Sequence, residues 1–421
     1  MSKYNFNKVY YYLGCISLLY FFFINYFELI IGSGLTGMIY IVTIIVVVIL
    51  CAAITHKFTI RISIPWLVAL LVMLYSSREK ILAGNLYWVI IYVANTLLLC
   101  FLSLNVQWVG RIAKPIKCFG NIHVLSTIIL FIFSPELYNA TFRHIWGGAP
   151  GGVTLDEAYK AGITMHYSTN GIYCALIVLL YASIILARGV DASKRKNHSI
   201  LFLVTGIFAI LLTTKRAHLL FSAFAIIVIY YFSTNTNKTR KVFNILAVTV
   251  TVLIFCVLLS PIIPVIGAIM ERFLGTEDIS NGRFAYWQQA WDCFLDNKLF
   301  GIGWGEYFKI NKHGTSVHNV YIQLLCESGI VGFCVFVYAM VKTYIVSIKN
   351  YRKYNTRMMV KYKEMMLFSI AVQTFYLVYS FTGNCLYDMN VIFYYLVCAM
   401  AFSIFRAIEK EPHKVLVKIN E

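Results

Sequence analysis

The chain has 421 residues, 60% of them hydrophobic and only 13% charged, with a mean hydropathy of +0.74 and a net charge of +18. A composition this apolar excludes a soluble domain folded around one core. The positive charge is scattered over short segments, which makes it a topology signal and argues against a nucleic-acid partner.

Apolar runs of roughly 16–24 residues recur along the whole length, and each can cross a bilayer core of roughly 30 Å as a helix, some only just. In chain order they lie near 9–31, 35–54, 58–75, 81–104, 116–134, 167–187, 199–214, 217–232, 242–267, 320–347, 364–385 and 389–406. The first is too long and too aromatic for a signal peptide and no small-residue cleavage site follows it, so it counts as a span. The expected architecture is an all-α polytopic membrane protein of about twelve transmembrane helices.

Placing the N-terminus in the cytoplasm assigns Lys3, Lys8, Lys57, Arg61, Arg111, Lys114, Lys117, the clusters around Arg188 and Lys238, the stretch Lys342 to Lys363 and the C-terminal tail to the inner side. That side then holds 25 of the 36 basic residues and 5 of the 18 acidic ones. Such a split supports the orientation and an even number of spans. The eleven cysteines have no paired spacing, so neither a disulfide framework nor a metal site is expected.

Two outer regions interrupt the spans. In the first, 135–166, a Gly/Pro cluster predicts turns and Leu155 to Ala161 a short interfacial helix. The second, 268–319, is the longest polar interruption in the chain. From Arg283 to Leu295 its apolar residues, Phe284, Trp287, Ala290, Trp291, Phe294 and Leu295, recur at helical spacing, which predicts an amphipathic helix at the membrane surface. Gly301, Gly303 and Gly305 then form a turn around Trp304. No strand precedes this glycine string and no βαβ unit surrounds it, so it is not a dinucleotide site.

The polar residues at membrane depth carry the chemistry. Lys215 and Arg216 stand between two apolar runs on the outer side. An arginine there can snorkel to headgroups, or present its planar fork of donors to a diphosphate. Arg283 heads the amphipathic segment, where a solvated face and phosphate binding are both open. His318 follows a Gly-Thr-Ser-Val turn and meets the next span at once. Histidine, with an ordinary pKa near 6.5, is the natural proton acceptor at neutral pH. Glu327 lies deeper in that span, where an unpaired carboxylate is costly, so it should pair with a donor on another helix.

The string HNVYIQLLCESGIVG, from His318 to Gly332, resembles the signature of the O-antigen ligase/polymerase superfamily. GRFAYWQQAWDCFLDNKLFGIGWGEY resembles the arginine, aromatic helix and glycine turn that precede that histidine. TTKRAHLLF resembles the family's arginine-bearing span end, with Lys215 where serine or threonine is commoner. The resemblance divides the chain into an N-terminal bundle, 1–198, and an O-antigen ligase/polymerase-like domain, 199–421. It implies a GT-C-like fold and an inverting, metal-independent glycosyltransferase without a cofactor. The substrate it implies is an undecaprenyl-diphosphate-linked glycan, met at the outer face of the bacterial plasma membrane. Flippase and chain-length regulator proteins are the partners it suggests. The implied catalytic residues are His318, Arg216 and Arg283. Lys215, Arg272, Trp287, Trp304, Asn319 and Glu327 form the implied substrate-binding set.

A polymerase joining repeat units and a ligase moving the finished chain to lipid A-core share this chemistry. The wording of HYSTNGIY and TTKRAH is closer to the capsule and exopolysaccharide polymerases. A flippase or transporter would show related halves and charges deep in several spans, and the sequence shows neither.

Overall fold

The computed structural model describes residues 3–55, 64–79, 87–133, 136–188, 193–233, 237–262, 267, 270–271, 282–312, 314–387 and 390–417. The long helices are α1 (Lys3–Ile31), α2 (Ser33–Thr55), α3 (Ile64–Ser76), α4 (Tyr87–Leu102) and α5 (Val109–Phe133). Two short helices follow, α6 (Glu136–Ala140) and α7 (Phe142–Trp146). Then come α8 (Tyr167–Arg188), α9 (Ser193–Leu212), α10 (Arg216–Ser233) and α11 (Lys238–Leu259). The second loop predicted to lie outside holds α12 (Arg283–Asp296) and α13 (Tyr307–Ile310), followed by α14 (Val320–Tyr354), α15 (Val360–Tyr379) and α16 (Asn390–Lys410). Among the described residues there is no strand, only the isolated bridges Gly151 to His166 and Met358 to Leu416.

A helix lies on every apolar stretch predicted from the sequence. By length and composition seven can cross a membrane: α1, α2, α5, α8, α10, α14 and α16. Three shorter apolar helices fall in α3, α4 and α9. Val42, Val46, Ile49 and Leu50 on α2 and Leu246, Val250 and Val257 on α11 remain exposed. Apolar stripes of this kind want hydrocarbon in place of water. The chain is an integral, all-α membrane protein.

The helices form two compact units, Met1–Ala113 with Ser280–Glu421, and Lys114–Ile279. This division differs from a cut near residue 198, because the last three long helices share a core with the first four. Trp66 on α3 donates its Nε1 hydrogen to Thr343 Oγ1 on α14 at 3.0 Å. Its ring also packs on Phe336 and Tyr395. Ser403 on α16 donates to the Leu102 carbonyl at the end of α4, 2.9 Å away. Partners this distant in sequence leave no local trace, whereas helix periodicity does.

The second unit is built around α8, which is buried along nearly its whole length. A helix apolar on every side belongs inside a bundle, and α9 and α10 cover it here. The Asn170 side chain on α8 donates to Thr127 Oγ1 at 2.8 Å and to the Lys160 carbonyl at 3.0 Å, tying the 136–166 loop to the bundle. That loop contains α6, α7 and a 3₁₀ turn over Ala158–Ala161 inside the segment predicted to be helical.

The orientation predicted from charge is testable at Lys312, an exposed residue of the outer loop. A Lys312→Cys protein should react with a membrane-impermeant maleimide on intact cells. Reaction only after the membrane is broken would invert the topology.

Candidate active site

The end of the first unit that carries the 282–319 segment is organised by a break in α14. Gly329 has φ 64° and ψ −172°, far from helical values, so the carbonyls and amides around it leave the helical ladder. The glycine loop fills the gap. Ile302 and Gly303 donate their amide hydrogens to the carbonyls of Cys326 and Glu327, at 3.0 and 2.9 Å. In return Ile330 and Val331 donate to the carbonyls of Lys298 and Leu299, at 2.8 and 3.3 Å. The glycine string is therefore a backbone lock. A Cβ on Gly301 would lie 2.4 Å from the carbonyl carbon of Glu327, which is why that position must be glycine.

Glu327 completes the lock from below. It is fully buried, with Oε2 accepting from the Gly305 amide at 2.9 Å and Oε1 from the Tyr307 amide at 3.2 Å and from Gln323 Nε2 at 3.1 Å. Its donors come from the glycine loop, from Tyr307 at the start of the short helix α13, and from its own helix. The carboxylate's hydrogen bonds are made within the protein. Trp304 is also inside: its ring stacks on Tyr387 at 4.9 Å, and its amide donates to Ser77 Oγ at 3.0 Å.

Above the lock stands α12, formed where the helical spacing predicts it. One face carries Ala290, Trp287 and Cys293 against Tyr307, Val317 and Cys326. The adjoining face leaves Phe284, Trp291 and Leu295 exposed, a stripe suited to the interfacial layer. Trp287 donates its Nε1 hydrogen to the Val317 carbonyl at 3.1 Å, fixing the residue just before His318.

His318 is half-buried at the start of α14 and has φ 56°. A side chain in the left-handed region costs about 1–3 kcal/mol and persists only where its surroundings over-determine it. The surroundings here do so on both sides. Asn319 caps α14, its Oδ1 accepting from the amides of Tyr321 at 3.0 Å and Ile322 at 3.1 Å. The Val320 amide donates to the Ser380 carbonyl at 2.8 Å, in the turn after α15. Arg283, the first residue of α12, donates from Nη1 to the Thr382 carbonyl of the same turn at 2.8 Å. Arg283 and Val320, two residues after His318, are thus tied to one short segment. A cation at the positive end of a helix gains nothing from the helix itself, which leaves Arg283 suited to an anion.

Lys215 and Arg216 belong to the second unit. Arg216 opens α10, and the preceding Thr214 has φ 52°. Among the described residues Thr214 and His318 are the only non-glycine residues with positive φ; Thr214 stands two residues before Arg216, and His318 is itself a predicted catalytic position. The Lys215 ammonium sits 3.8 Å from the centre of the Tyr167 ring. The neighbouring His166 accepts at Nδ1 from the Ser168 amide at 3.1 Å, so Nε2 carries the proton of the neutral ring. One edge of that ring is open, yet loss of water to the surrounding chain, and then the Lys215 charge, lower its pKa from the ordinary 6.5. Arg272 lies outside the described residues.

Residues 201–337 match the family model of the O-antigen ligases. The chain carries an O-antigen ligase domain. This domain supports membership of the O-antigen ligase/polymerase superfamily, whose members are glycosyltransferase-like enzymes acting on lipid-linked glycans. It spans Lys215, Arg216, Arg283 and His318. No curated protein matches the chain.

Three of the O-antigen ligase domain's predicted substrate-binding residues have structural tasks in the fold: Trp287 holds Val317, Asn319 caps α14, and Glu327 holds the glycine loop. Conversely, sequence reasoning passed over Tyr167, the partner of Lys215, and the Ser380–Thr382 turn. The predicted span 364–385 ran through that turn, whereas α15 ends at Tyr379. Tyr167 lies within the HYSTNGIY string but meets Lys215 through its ring face, and the 380–382 turn acts through its backbone.

Proposed function

We propose that this protein is a membrane glycosyltransferase that polymerises undecaprenyl-diphosphate-linked oligosaccharide repeat units at the outer face of the bacterial plasma membrane. The observation that carries the reading is that the 380–382 turn holds both Arg283 and Val320, the residue two past His318. This supports a reading in which Arg283 meets a phosphate and His318 accepts a proton, beside a helix whose Phe284 and Trp291 are exposed. His318 takes the proton from the acceptor sugar hydroxyl, and that oxygen bonds to the anomeric carbon of the donor with inversion. The bond from this carbon to the diphosphate oxygen breaks, and undecaprenyl diphosphate leaves with the electron pair. Arg283 and Arg216 stabilise the charge on the departing group.

Purified protein in liposomes, supplied with lipid-linked repeat units, should yield a ladder of glycan lengths. The second reading, a ligase, is favoured by the description of the matched family; it would leave the ladder absent and transfer preformed glycan to added lipid A-core.

The transfer should also proceed without a metal. Among the described residues no three His, Cys, Asp or Glu side chains stand together where they could hold an ion. Glu306 pairs with Lys309 at 2.7 Å, and Glu157 with Lys160 at 2.5 Å. The turnover rate should be unchanged in EDTA. A loss restored by one divalent ion would bring Asp156, Glu157, Asp278 or Glu306 into the mechanism.

A further inference from the structure

At the opposite end of the first unit, where α1, α5 and α15 begin, lies a cavity of about 410 Å³. Its lining includes the cations Arg111, Lys361 and Lys414 and the amides of Asn7 and Gln107, with no carboxylate. The charge distribution predicts that this end faces the cytoplasm. We propose that the cavity binds a phosphate group, presented either by an anionic lipid headgroup of the inner leaflet or by a soluble phosphate.

Four features point to an anion. First, α5 and α15 both start at the cavity, with Gly110–Arg111 and Lys361–Tyr362 in their opening turns, and helix N-termini favour negative charge. Second, among the described residues Arg111 and Lys361 pair with no carboxylate, whereas Lys414 is shared with Glu411 at 2.7 Å. Third, Gly110 lets the Lys361 stem lie close over α5, since a Cβ there would stand 3.0 Å from Lys361 Cδ. Fourth, Asn7 already accepts at Oδ1 from Asn105 at 2.6 Å, so its amide keeps its hydrogens to donate. Arginine and lysine at the inner end of spans, around a pocket this size, suit a headgroup phosphate.

The test is binding by the full-length protein. Detergent-solubilised wild type is titrated with phosphatidylglycerol, with phosphatidylcholine, and with inorganic phosphate, and its thermal unfolding is followed. Phosphatidylglycerol should stabilise the protein and phosphatidylcholine should not. Arg111→Gln and Lys361→Gln should each weaken the apparent affinity roughly fivefold, and the pair roughly 25-fold. Lys353→Gln, an exposed cation on α14 outside the cavity, should leave it unchanged. Stabilisation by inorganic phosphate with the same variant dependence would support the site with a soluble occupant. Wild-type affinity in the double variant, or an equal loss in Lys353→Gln, would overturn the proposal.

Discussion

His318→Ala should abolish glycan transfer, by about 10²–10⁴-fold in turnover, while binding of the lipid-linked substrate persists. The expectation follows from where the histidine stands. Its neighbours Val317 and Val320 are held by Trp287 and by Ser380, so removing the imidazole leaves the frame in place. Alanine is strained at φ 56°, and some lost activity could then reflect folding. Asparagine tolerates this backbone and cannot act as a base, so His318→Asn should be equally inactive and better folded. Arg283→Ala should behave differently, weakening both substrate binding and turnover, because the same cation meets the diphosphate before and during reaction. Arg216→Ala should follow it, and Arg216→Lys should rescue only in part, as a point charge lacks the bidentate fork. Near-normal turnover by a folded His318→Asn protein would remove the histidine from the mechanism.

These expectations rest on a site that the sequence discloses unevenly. Helix positions were legible because bilayer crossing imposes long apolar runs, and α12 because its apolar residues recur at helical spacing. Arg216 was legible because it interrupts apolar sequence, and Arg283 and His318 because they head an amphipathic segment and a span within the longest polar stretch. What surrounds them was not. Glu327 looks like a buried charge seeking another helix, and only the fold reveals that two loop amides meet it. Ser380 and Thr382 act through their carbonyls, which every residue type possesses, so no side-chain pattern could single them out. The division into units was hidden for a related reason: Trp66 and Thr343 meet across 277 positions of sequence.

The glycine lock gives the second large effect. A Cβ on Gly329 would fall 2.3 Å from the carbonyl carbon and oxygen of Leu299, and the residue's φ of 64° disfavours any side chain. Gly329→Ala therefore combines left-handed strain of about 1–3 kcal/mol with a steric displacement of about 1–3 kcal/mol. Relief requires the loop to move off α14, which weakens the hydrogen bonds linking 298–303 to 326–331. Thermal unfolding of the detergent-solubilised protein should show the loss. Gly314→Ala is the comparison: its φ of 58° is similarly left-handed, but a Cβ there meets nothing within 4 Å. It should lose only the strain contribution. Glycan transfer should also fall in Gly329→Ala, because Cys326 packs in the same cluster as Val317 and Trp287, which position His318. Equal unfolding temperatures for the two variants would show that the loop yields freely, and the lock would then contribute nothing to holding the histidine in place.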